Sequence, residues 1–188
     1  VSDKLDFPNL SMVGVDDRAA AYQAVSYLIQ QGHRKIAVLG GPATSYPSMM
    51  RRQGAQQAME DAGIRFEDKL YGLSNYDFES AYHAMNGLLA RRAEFTALFA
   101  MSDVIAFGAI RALVSAGFRV PEDVSVIGFD GITMSRYCVP VMTTIVQPSE
   151  QIALQSIELL VRQIEHGAPA QKITLQPELQ VGESVRAV

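Results

Sequence analysis

The stretch Asp17-Arg-Ala-Ala-Ala-Tyr-Gln-Ala-Val-Ser-Tyr-Leu-Ile-Gln-Gln-Gly32-His-Arg-Lys-Ile-Ala-Val-Leu-Gly40-Gly-Pro42 decides the architecture. Its first half puts Ala21, Ala24, Val25, Leu28 and Ile29 on one face of a helix reaching Gln31, and Gly32 stops it. Its second half, Lys35 to Gly40, is an apolar run of strand length that Gly40-Gly41-Pro42 breaks. A helix leading into a strand without polar alternation is the pattern of a parallel sheet buried on both faces.

The same alternation extends both ways. Ser11 to Val15 is a short apolar run before the helix. Beyond Pro42, the spacing predicts a helix over Ser48 to Ala62, a weaker strand over Lys69 to Leu73, and a helix from Asp77 to Ala90. Thr96 to Met101 reads as a strand. Ser102 then caps a helix with Ala106, Ala109, Ile110, Leu113 and Val114 inward, closed by Gly117. Val124 to Phe129 and Met142 to Val146 read as strands. The helix Ser149 to His166 aligns Ala153, Ile157, Leu160, Val161 and Ile164 and ends at Gly167 and Pro169. Lys172 to Leu175 and Leu179 to Val181 are the last predicted strands. The fold class is therefore α/β, a parallel sheet flanked by helices.

Composition narrows the function. The 188 residues suffice for one domain or slightly more. Twenty acidic against 16 basic residues give a net charge of −4, and Arg51-Arg52 and Arg91-Arg92 are isolated pairs, so these residues offer no basic face for DNA. The single cysteine, Cys138, excludes an internal disulfide and any cysteine-built metal site. No apolar run approaches a membrane span. Val1 to Leu10 is polar, with Asp3, Lys4 and Asp6, and reads as no signal peptide; the missing initiator methionine suggests a piece of a longer chain.

Sheets of this kind bind ligands beyond the carboxyl ends of their strands. The residues expected there are Asp16 and Asp17, then Thr44, Ser45 and Arg51, then Asn75 and Tyr76, then Ser102 and Asp103, and finally Asp130. Hydroxyls, carboxylates, one guanidinium and one aromatic ring suit a small ligand rich in hydroxyl groups. Simpler roles stand beside each: a solvated helix arginine for Arg51, a turn cap for Asp130, helix capping for Ser102-Asp103, packing for Tyr76. No P-loop lysine follows Gly40-Gly41-Pro42, and no GxGxxG, HExxH or GxSxG occurs. His33 and His166 sit at helix ends, where a protonated ring is favourable. No catalytic residue, metal site or cofactor is expected.

Blocks along nearly the whole chain resemble the effector-binding region of the lac/gal repressor family of bacterial regulators. They are Val13-Gly-Val-Asp-Asp17, Leu28-Ile-Gln-Gln-Gly-His-Arg-Lys-Ile-Ala37, Gly41-Pro42, Arg51-Arg-Gln-Gly54, Ala62-Gly-Ile64, Glu79-Ser-Ala-Tyr82, Thr96-Ala-Leu-Phe-Ala-Met-Ser-Asp103, Gly108-Ala-Ile-Arg-Ala-Leu113, Val120-Pro-Glu-Asp-Val-Ser-Val-Ile-Gly-Phe-Asp130 and Thr143-Thr-Ile-Val-Gln-Pro148. The resemblance implies a periplasmic-binding-protein-like fold, one subdomain complete and a second partial. Residues 1–16 would be a remnant of the N-terminal subdomain and 17–144 the C-terminal subdomain. Residues 145–170 would cross back to the N-terminal one, and 171–188 would return.

It further implies a cytoplasmic, non-enzymatic, dimeric regulator. A sugar-like effector would control DNA binding through a helix-turn-helix domain absent from these residues. Ligand positions carried over are Arg51, Ser102, Asp130, Tyr76 and Gln147. Gly131 stands where many members have a second acidic residue, Met49 where some sugar-binding members have a polar one, and Val141 replaces a frequent proline. A solute-binding protein of a transport system with the same fold is the alternative.

Overall fold

A computed structural model describes residues 11–188. The readings of Val1 to Leu10, and most of the expected 1–16 segment, lie outside the described residues. The chain runs β1 (Met12–Val15), α1 (Asp17–Gln30), β2 (Ile36–Gly40), α2 (Tyr46–Asp61), β3 (Tyr71–Leu73), α3 (Phe78–Ala90), β4 (Ala97–Ala100), α4 (Asp103–Ser115), β5 (Ser125–Asp130), β6 (Thr143–Val146), α5 (Ser149–His166), β7 (Lys172–Leu175) and β8 (Glu178–Gln180).

Six strands form one sheet in the order β3-β2-β4-β5-β6-β8, parallel except for β8, which runs antiparallel to β6. Every residue of β2 and β4 is buried, as strands covered on both faces must be. Right-handed crossovers that leave β2 in one direction and return from β3 in the other put α2 and α3 on opposite faces. α1 packs with α2, and α3 with α4. The order reverses between β2 and β4, where a doubly wound sheet opens its crevice.

The α1–α2 contact is close because Gly54 has no side chain: a Cβ there would collide with the backbone carbonyl of Arg18. Gly54→Ala is therefore expected to lower stability by roughly 1–3 kcal/mol, since a backbone carbonyl cannot step aside as a side chain can. Gly87, also helical but facing open space, is the control. Gly87→Ala should gain about 0.5–1 kcal/mol from helix propensity alone. Urea unfolding of the two variants checks both signs.

The caps fall as the sequence predicts. Asp77 accepts from the Ser80 amide and Ser102 from the Ile105 amide. One helix face differs from expectation, and a second stands uncovered. In α4 the buried set is Asp103, Ile105, Ala106, Gly108, Ala109, Ala112 and Leu113, rotated so that Val114 is exposed. In α5 only Leu159 is buried; Ile157, Leu160, Val161 and Ile164 face solvent. Periodicity locates an apolar stripe but not its partner. The terminal strands also differ. β7, expected to return with the last segment, instead pairs in parallel with β1 as a separate two-stranded sheet; only β8 joins the main sheet.

Candidate functional site

The carboxyl ends of β2, β4 and β5 converge on Arg51. α2 starts just after β2, and Ser48 in its first turn donates its hydroxyl to the Gly41 carbonyl, 3.1 Å away, tying helix to strand end. Arg51 follows three residues later, on the same helix face. Its Nε donates to Asp17 Oδ1 at 2.7 Å and its Nη1 to the Met101 carbonyl at 2.5 Å. Asp130 Oδ1 lies 3.6 Å from Nη1, and the guanidinium stacks 3.6 Å from the Phe129 ring centroid. With 6 % of its surface exposed, Arg51 is a buried cation between two carboxylates, not a solvated helix arginine. Such a cation persists only where partners satisfy it.

Asp130 ends β5 with φ 113, and Gly131 follows with φ 71. These two left-handed residues turn the Asp130 carboxylate back toward Arg51. Gln147, after β6, donates to Asp130 Oδ1 at 2.7 Å and its own amide donates to the Asp130 carbonyl at 3.0 Å. Burial pushes the Asp130 carboxyl up from its ordinary range, with Arg51 opposing. A Cβ on Gly131 would press on Val146 at 2.7–2.8 Å, so with its positive φ the position is strained for any side chain. Asp130, Gly131, Ile132, Thr133, Gln147 and Ser149 line an open depression of about 430 Å³.

Tyr76, at φ 60, lays its ring against Gly41, where a Cβ would strike it. Its hydroxyl is buried close to the Ser45 and Ser48 hydroxyls without completing a well-formed hydrogen bond, and burial raises the phenol's pKa. Arg51, Asp130 and Gln147 thus meet in one cluster, and the charge of Arg51 reaches Tyr76. Ser102 is buried beside Met101, but its oxygen caps α4. Others in the predicted ring do not join. Asp16 caps α1 through the Ala19 amide, Thr44 is exposed, and exposed Asn75 bonds the Ser80 hydroxyl.

Asp17, expected at the strand ends, joins the cluster through its bond to Arg51. One contributor carried little signal in sequence. Phe129 reads as core and is also the platform under Arg51. Among the described residues, no group of three or more His, Cys, Asp or Glu is placed to hold a metal ion. No helix there is long and apolar enough to cross a membrane.

A doubly wound sheet with a charged, hydroxyl-bearing crevice at its switch point is the architecture of an α/β domain whose open end suits a small polar ligand. Residues 25–185 match the periplasmic binding protein-like domain family. The chain is 35 % identical over 181 residues to the HTH-type transcriptional repressor PurR of Histophilus somni, covering 96 % of the chain and 54 % of that relative. It is 37 % identical over 169 residues to the HTH-type transcriptional regulator MalR of Clostridium butyricum, covering 90 % and 50 %. The solved structure of a transcriptional regulator CelR–cellobiose complex superposes with a TM-score of 0.90 at 34 % identity, covering 94 % of this chain and 54 % of that one. The chain belongs to the periplasmic-binding-protein-like domain family, in the branch formed by the C-terminal effector-binding regions of lac/gal-type regulators. It spans about half the length of the curated relatives it matches.

Proposed function

We propose that the chain is the effector-sensing part of a bacterial transcriptional regulator, binding a small, hydroxyl-rich molecule such as a sugar. The observation that carries this reading is the Arg51–Asp17–Asp130–Gln147 cluster at the switch point of the sheet. In it, Asp130 and Gln147 accept from and donate to ligand hydroxyls. Arg51 presents the guanidinium hydrogens that Asp17 and Met101 leave over, since five N–H groups exceed those two bonds. The Tyr76 hydroxyl adds a donor beside them, and Ser102 completes the set at the β4 end. That relatives carry the name transcriptional repressor, and that one is solved with cellobiose, agrees with this reading. Those relatives are regulators, and nothing among them favours the transport alternative.

Residues 17–144 form the ligand-binding subdomain in this reading, with β1, α5 and β7 belonging to a second one. The exposed face of α5 and the pairing of β7 with β1 support that division. The protein acts in the cytoplasm as a homodimer without catalysis, and a DNA-reading segment lies elsewhere in the protein. Effector bridging the two subdomains shifts their equilibrium by the difference in its affinity for the two arrangements.

Two results test this. The coding sequence upstream of Val1, checked by the intact mass of the native protein, should encode a helix-turn-helix segment; a cleavable leader instead contradicts regulation. Asp130→Ala in the complete protein should weaken effector binding by about 1.5–3 kcal/mol, measured by calorimetry. Unchanged affinity overturns the site.

A further inference from the structure

Beneath the rim of the site lies Asp103, one of the residues expected at the strand ends, whose carboxylate hydrogen-bonds none of the five carried-over ligand positions. Asp103, in the first turn of α4, is fully buried. Its Oδ2 accepts from the Ile132 amide at 2.9 Å, and its Oδ1 accepts from the Thr144 hydroxyl at 2.6 Å. Oδ1 also lies against Gly128, where a Cβ would collide with it. One side chain thus joins three elements: the start of α4, the turn leaving β5, and the middle of β6.

That turn is the one that aims Asp130. A non-glycine residue at φ 113 is strained, and such backbone persists only where its surroundings hold it. Two anchors do so. The Gln147 amide grips the Asp130 carbonyl on one side, and Asp103 grips the Ile132 amide on the other.

We propose that Asp103 is the positioning residue of the site: its carboxylate holds the Asp130–Ile132 turn in place, and the hold slackens when that carboxylate takes up a proton. A charged acceptor makes a hydrogen bond roughly twice as strong as a neutral one, so protonation weakens the grip on Ile132 without abolishing it. The protonated acid also donates to Thr144 instead of accepting.

Burial is the leading cause that raises the Asp103 carboxyl from 3.8 to about 6, against the lowering effect of its bonds to Thr144 and Ile132. The ionisable groups facing it are Asp130 at the end of β5, whose charge raises it further, and Cys138 in the segment after β5. Arg51 and Asp17 stand behind Asp130, and β6 contributes only the neutral Thr144. Because the folded carboxyl holds its proton more tightly than the unfolded one, stability contributed by this group is greatest below the ordinary value of 3.8 and falls as pH rises through about 6. The turn is held more firmly at neutral pH although this one group then costs stability. That trade is the mark of a residue kept for position.

The consequence for binding rests on the reading of Asp130 as a ligand contact; the hold itself does not. The test therefore uses no ligand. The chain, labelled with ¹⁵N and ¹³C, is titrated by NMR between about pH 7.5 and 4.5, a range that spans the shifted carboxyl. The Asp103 carboxyl carbon should titrate with a midpoint near 6, and the Gly131 and Ile132 amides should follow it. Hydrogen-exchange protection of Ile132 should fall about tenfold across the same step.

Asp103→Asn should remove the step near 6 from both amides. Thr144→Val, which removes a bond that favours the charged form, should move the midpoint upward. An Asp103 carboxyl that titrates in the ordinary range, with Gly131 and Ile132 flat, overturns the proposal. So does a step that survives Asp103→Asn, which would belong to Asp130, and so does a midpoint unmoved by Thr144→Val.

Discussion

Replacing Arg51 with alanine is expected to destabilise the chain by about 3–5 kcal/mol, the cost of stranding buried charges. The size follows from what remains. Asp17 would lose its 2.7 Å partner, Asp130 its nearest cation, and the Met101 carbonyl its donor at 2.5 Å. The Phe129 ring would face a void where the guanidinium now lies. Arg51→Lys should recover only part of this. An ammonium is a point charge and cannot span Asp17 and Met101 while lying flat on a ring. Urea unfolding followed by circular dichroism reads both variants, with an unchanged slope showing that the unfolded state is unaffected. A loss below about 1 kcal/mol for Arg51→Ala would place the pair among weak surface ion pairs and contradict the burial described here.

The second large effect is expected at Phe129. It is fully buried at the end of β5, and Phe129→Ala should cost about 3–5 kcal/mol through lost burial and the cavity left behind. Phe129→Leu separates its two roles. Leucine keeps much of the apolar volume but has no π face, so about 0.5–2 kcal/mol of attraction to the Arg51 guanidinium goes with the ring. The expected pattern is a modest drop in unfolding midpoint together with a broadened or shifted Arg51 Nε resonance. A Phe129→Leu protein with wild-type stability and an unmoved Arg51 signal would show that the ring serves the core alone.

Much of the fold is legible from residue pattern, for a specific reason. Strands β2 and β4, and β5 as far as Phe129, lie between helix layers and are buried, so their apolar runs are short. Asp77 and Ser102 announce helix starts because a cap is a local bond between residues three apart. What escapes local pattern depends on partners distant in sequence. The α5 stripe looks like any inward face, yet Ile157 and Ile164 meet solvent. β7 shows no sign in its four residues that it pairs with β1, about 160 positions earlier.

The site divides the same way. Arg51 and Asp130 stand out as polar residues at strand ends. Whether such a residue is solvated or buried is set by neighbours that the spacing does not reveal, here Asp17 from α1 and Phe129 from β5. Gly131 is ambiguous in sequence, and only its φ of 71 and the nearness of Val146 give the reason for it. Asp103 is the furthest from view. As the residue after an N-cap it reads as one more acid in a first helical turn, and its bonds to Ile132 and Thr144 cross 29 and 41 positions.

The crevice around Arg51, Asp130 and Gln147 is proposed to receive a hydroxyl-rich ligand. The most direct measurement is calorimetric titration of the complete protein with a panel of neutral mono- and disaccharides, cellobiose among them, repeated with Arg51→Lys and Gln147→Ala. At least one sugar should bind and both variants should weaken it, Gln147→Ala by about 1–3 kcal/mol as the half-buried Asp130 carboxylate loses its donor. A panel in which no sugar binds, or a sugar whose affinity both variants leave unchanged, would contradict the proposal.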